Sequence, residues 1–190
     1  GHLTEHFLPE DLYMELLDEY CQNNPDIQLT DMKKLNQLTQ RILESTPIRL
    51  IIYDSVLKDF TVTGELDFFG IKMSLNVSQR LRCLKNLEYM ITDLELLNVC
   101  ILPEGALSDH QHIAHPTLFM SDSICYLRLK RLAPEYNICI PNKIALNRIF
   151  EEFFKDIWSS YINHDNYRNV LSTLQHAIQT IEIMIEINAK

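Results

Sequence analysis

The last stretch of the chain limits its fold more than any other. Beyond His164-Asp165, apolar residues stand at Tyr167, Leu171, Leu174, Ile178, Ile181 and Ile185, at intervals of 4, 3, 4, 3 and 4. That rhythm lines one side of an α-helix with a heptad-like seam, suited to packing against another helix. Val170, Ile183 and Ile187 add apolar surface beyond the seam. A helix greasy on more than one side is expected to be sandwiched. The seam suits packing within the domain or pairing between copies, because a short heptad run does not decide oligomer state. Tyr167, Leu171, Leu174, Ile178 and Ile181 are the dimer-interface candidates.

Helical spacing recurs upstream. Pro9 with Leu12, Leu16, Leu17 and Tyr20 predicts a first helix ending near Asn23-Asn24-Pro25. Thr30 caps a second, with Met32, Leu35, Leu38 and Ile42 on one face. Thr46-Pro47 is a start signal, a cap followed by proline at the first helical position. Ile48, Ile51, Ile52, Ser55 and Phe60 continue at roughly helical spacing. The run Leu50-Ile51-Ile52-Tyr53 suits a buried strand as well, since periodicity cannot separate the two over so short a stretch; a helix is the expectation taken here. Residues 61–76 carry turn signals and β-formers, which predicts an extended loop or short hairpin. Asn76 or Ser78 then caps a long helix through about Asn98. Asp122–Leu132 predicts a short helix ended by Pro134, Asn137–Pro141 an extended segment, and Asn142 the cap of an apolar helix reaching Tyr161. The expected fold class is all-α: one helical domain over residues 1–190, a bundle of about seven to nine helices. Gly1-His2 is read as a cloning scar.

Composition narrows the function classes. At 46% hydrophobic and 23% charged residues, the 190-residue chain suits a soluble globular domain. No apolar run approaches the ~18 residues of a membrane span, and the N-terminus lacks a signal-peptide core. Five cysteines without a CxxC spacing argue against a disulfide framework and for reduced thiols in the nucleus or cytosol. The net charge of -9 is unevenly spread, with Glu5, Glu10, Asp11, Glu15, Asp18, Glu19, Asp26 and Asp31 unrelieved by any Lys or Arg before residue 32. Nucleic-acid surfaces need basic stripes to displace phosphate counterions. The two basic clusters, Arg80/Arg82/Lys85 and Arg128/Lys130/Arg131, are small enough to be solvated helix faces. Direct DNA binding is disfavoured, and the acidic first helix suits a basic partner.

Catalytic signatures are lacking. Four scattered glycines make no phosphate loop, and GxSxG, HExxH and kinase patterns are absent. The expectation is that the chain is not an enzyme and needs no cofactor. One cluster is chemically suggestive: His110, His112 and His115, with Cys100 and Cys125 on either side. It is a weak zinc candidate, because usual finger spacing differs and a polar loop explains the residues equally well. Phe68-Phe69 is the other. Adjacent residues of an extended segment face opposite ways, so one of the two rings is free to anchor a docked peptide.

The centre of the chain also resembles a known family. Ile48-Arg49-Leu50-Ile51-Ile52-Tyr53-Asp54-Ser55-Val56-Leu57, Lys58-Asp59-Phe60, Gly64-Glu65-Leu66-Asp67-Phe68-Phe69 and Leu75-Asn76 are similar to the middle of the telomere repeat factor homology domain. There, an apolar helix ends in a Gly-x-x-Leu-Asp-x-x-Phe loop, followed by a Leu-Thr-Pro-Leu-Glu helix start. Here the loop is one residue shorter, Asn76 stands for the threonine cap and Val77 for the proline. The likeness spans about 40 residues of a short motif, and is closer to a divergent, fungal-type member.

The resemblance implies an all-helical homodimer in the nucleus, at the telomeric region of chromosomes in a shelterin-type assembly. It also implies peptide docking beside the loop, with Phe69 as anchor and Leu66 supporting it, and DNA contact only through a separate module; Phe68 is a docking candidate as the other half of the aromatic pair. Alternatives from other classes are a scaffold domain of another nuclear complex, kinetochore or meiotic, and a zinc-binding domain.

Overall fold

A computed structural model describes residues 3–45, 48–68, 71–94, 97–103, 117–120, 124–128, 137–141, 145–161 and 164–188. The order is β1 (Leu3–Thr4), a 3-10 turn (Glu5–Phe7), α1 (Glu10–Asn23), α2 (Leu29–Ser45), β2 (Ile48–Tyr53), α3 (Asp54–Thr63), β3 (Glu65–Phe68), β4 (Ile71–Ser74), α4 (Val77–Thr92), β5 (Leu97–Leu102), β6 (Thr117–Met120), β7 (Ile124–Arg128), β8 (Asn137–Pro141), α5 (Ala145–Tyr161) and α6 (His164–Asn188).

The expectation of an all-α bundle is overturned. Six α-helices accompany three small sheets among the described residues, so the fold is mixed α and β. The run from Ile48 to Tyr53 is the decisive case. It forms β2, paired in parallel with β5 from Ile48↔Leu97 to Tyr53↔Leu102. Leu50 and Ile52, with Val99 and Ile101, join the main core shared with α3, α4 and α6. Ile51 and Tyr53, with Cys100 and Leu102, meet Ile157 and Trp158 of α5. A parallel pair covered on both faces needs no polar side, so its strands lose the alternation that would betray them. Parallel strands also require a long crossover; here it holds α3, the β3–β4 hairpin and α4. Thr46-Pro47 lies outside the described residues.

Residues 61–76 divide between the end of α3 and the antiparallel β3–β4 hairpin, and β1 pairs in parallel with β3. Within Asp122–Leu132, residues 124–128 form β7, a strand between β6 and β8. Its Ile-Cys-Tyr-Leu-Arg sequence favours a strand, but the alternation is too short to exclude a helix.

Two helix ends explain how the crossover is held. Asn76 caps α4: its side chain accepts from the Gln79 N–H, and the Gln79 side chain accepts from the Asn76 N–H. Gly64 ends α3 in the left-handed region, at φ 68°, with its N–H donating to the Phe60 carbonyl at 2.8 Å. Arg80 closes over this turn. Its Nε donates to the Leu75 carbonyl at 2.8 Å, and its Nη1 to the Val62 and Thr61 carbonyls at 2.8 and 3.2 Å. A cation among the last carbonyls of α3 also offsets the negative end of that helix.

Candidate functional site

Strand geometry settles the residues expected at the peptide-docking loop. Leu66 and Phe68, two apart on β3, share a face and are fully buried. Phe68 lies between Tyr13 and Tyr20 of α1, with ring centroids 5.5 and 5.6 Å away. These rings close α1 onto the hairpin, so Leu66 and Phe68 are core residues with no surface to offer a peptide. Phe69 lies outside the described residues. Burial also pushes the Tyr13 phenol upward, with the charge of Glu5 adding to it.

The dimer-interface residues are likewise turned inward. Leu174, Ile178 and Ile181 are buried in the chain's own core, and Leu171 is half-buried against it. Only Tyr167, 47% exposed, faces outward. The helix α6 packs on α3, α4 and β5. Asn166 Nδ2 donates to the Val99 carbonyl at 3.0 Å, and Lys85 Nζ of α4 meets Glu182 Oε1 at 2.9 Å. The heptad rhythm recorded that a neighbour exists; the neighbour is this same chain.

The basic clusters have internal work as well. Of the first, Arg80 serves the carbonyls above, Arg82 pairs with Asp11 and Glu15 of α1, and Lys85 pairs with Glu182. Hydrogen bonding to Arg82 holds the Asp11 carboxyl below its ordinary range, and raises Arg82 in return. Of the second cluster, Lys130 and Arg131 lie outside the described residues. So do His110, His112 and His115, the weak zinc candidates. Cys100 is buried on the α5 side of the β2–β5 sheet, and burial raises its thiol above the ordinary range, away from a reactive thiolate. No cluster of three or more His, Cys, Asp or Glu suited to a metal occurs among the described residues. No described helix is long and apolar enough to cross a membrane.

Among the described residues Val62, Ile71, Tyr89, Leu94, Tyr167, Ile183 and Ile187 are the large apolar side chains left exposed, and of these Ile183 and Ile187 stand one turn apart on a single helix, α6. The two are 57% and 66% exposed, and Met184 between them is half-buried. They lie across the helix from Leu174 and Ile181, which are buried. Of the apolar residues beyond the seam, Val170 is buried in the core while Ile183 and Ile187 are left uncovered, and the pattern alone could not say which side of α6 the domain would fill. No known protein family, curated protein or solved structure matches this chain.

Proposed function

We propose that this chain is a protein-interaction domain, not an enzyme, and that it works through the outer face of α6. The observation that carries this is the exposed Ile183–Ile187 pair on a helix whose opposite side is already filled by the chain's own core. An i, i+4 apolar pair on a helix is the kind of anchor that helix-in-groove and helix-on-helix recognition uses. The acidic first 31 residues and the internally engaged Arg80, Arg82 and Lys85 fit a protein partner better than a nucleic acid.

Telomeric and nuclear placement rested on the resemblance across residues 48–76. In that stretch residues 48–53 form β2 and residues 54–63 form a helix that ends at Gly64, so the proposal takes the interaction role and names no chromosomal location. A kinetochore or meiotic scaffold would share that role and differ only in the partner's identity.

The test immobilises the 190-residue chain, captures partners from its source cells, and then titrates each purified partner against wild type and an I183D/I187D variant. Binding lost in the variant, with circular dichroism unchanged, supports the proposal. Partners that bind both chains equally, or none at all, overturn it.

A further inference from the structure

The last two turns of α6 present two ridges side by side. Ile183 and Ile187 form the first; Glu182 and Glu186, each one position earlier, form the second on the side toward α4. Lys85 holds Glu182, while Glu186 is exposed and makes no ion pair among the described residues. Glu88 of α4 lies further along the same margin, its Oε1 3.4 Å from Gln175 Nε2 of α6. Glu182 and Glu186 therefore border the isoleucines on that side, with the Lys85 ammonium on Glu182 and the Glu88 carboxylate about two turns further back, on a chain of net charge -9.

This margin discriminates among occupants. A second copy would bring the same acidic ridge and the same net charge against it, and like charges facing each other across a contact are unfavourable. An anionic lipid surface meets the same repulsion. A helix with an apolar i, i+4 pair and Lys or Arg along one flank satisfies both ridges at once. Resting on the interaction role argued above, we propose that the outer face of α6 docks a basic amphipathic helix of a protein partner. The apolar pair of that helix lies on Ile183 and Ile187, and its cations lie over Glu186 and the α4 margin.

The experiment titrates the whole chain with two labelled synthetic helices of about 18 residues, one patterned from leucine and lysine and the other from leucine and glutamate. Fluorescence anisotropy reports binding. The cationic helix is expected to bind and the anionic one not. The I183E/I187E variant should weaken the cationic helix about tenfold or more, and E182K/E186K should also weaken it, with melting curves kept for both variants. Equal binding of the two helices, or cationic binding indifferent to the α6 variants, overturns the proposal; the second result would move the site to the acidic face of α1. A chain mass in light scattering that I183E/I187E halves would name a second copy as the occupant. That result removes the basic partner and leaves the interaction role standing, whereas failure of both helices and of partner capture removes both.

Discussion

Gly64 concentrates more consequence than any other single position described. Its positive φ suits glycine, and a Cβ there would run into the Leu75 carbonyl and the Arg80 guanidinium. Neither neighbour yields freely: Leu75 is tied back by its N–H to the Gly64 carbonyl at 2.9 Å, and Arg80 is fixed by three carbonyls. Gly64→Ala is therefore expected to cost about 2 kcal/mol or more, combining the left-handed strain with displacement of the arginine. Urea unfolding measures it, and an unchanged midpoint would contradict the turn described. Asn76→Ala, which removes the cap but no steric constraint, should cost about 1 kcal/mol.

At the level of elements, α1 and α6 are held differently, and each difference is measurable. The helix α1 is pinned to α4 by Arg82 with Asp11 and Glu15, and the 3-10 turn before it by Asn86 Nδ2 donating to the Phe7 carbonyl at 3.1 Å. Because Asp11 is depressed below its ordinary 3.8, its pairing stabilises the fold above that pH and is lost as pH falls through the lower folded value. The stability difference between wild type and R82M should be present at neutral pH and close below pH 3.8; a difference that persists in acid would mean that packing of the Arg82 stem, not its charge, holds α1. The pair is exposed, so the effect is small. For α6, Leu174→Ala should cost about 2–5 kcal/mol, as a fully buried leucine does. Leu174→Glu should unfold the domain, while Ile183→Glu stays within about 0.5 kcal/mol. A folded L174E chain of half the wild-type mass would instead restore the dimer seam. These contrasts show why α6 was legible as a helix from its spacing while its partner was not. Periodicity records that Leu174 and Ile181 are buried, and carries no mark of which chain buries them. The segment β2 was opaque for a related reason, since a strand covered by α5 on one face and α3, α4 and α6 on the other shows a bare apolar run. The resemblance points to Leu66 and the aromatic pair to Phe68 as docking residues, but the α1 tyrosines that cover Phe68 lie about 50 positions away in sequence, beyond the reach of any local pattern.

Over the whole molecule, the question is whether α1, the hairpin, α4 and α6 open together or apart. Cys83 is placed to answer it. It lies on α4, fully buried, with its thiol toward the Phe7 carbonyl at 3.6 Å, and the same helix meets α6 through Lys85 and Leu84 joins the shared core. Burial pushes this thiol up from 9.0 to about 12, so in the folded chain it is both shielded and protonated, and a thiol must ionise to react. A raised thiol favours the fold below its unfolded value and loses that contribution as pH climbs toward the folded one. Stability should consequently decline above pH 9. Alkylation with iodoacetamide slow enough that the chain recloses first, mapped by peptide mass, is expected to reach half-buried Cys21 first and Cys83 only in proportion to the globally unfolded population. If the core is one cooperative unit, Gly64→Ala, far from the thiol in sequence, should accelerate Cys83 labelling about 30-fold, the population shift that ~2 kcal/mol implies. Labelling of Cys83 that ignores Gly64→Ala yet rises in R82M would show α1 lifting from α4 on its own. The domain would then be a fixed core under a separable acidic lid, not a single folding unit.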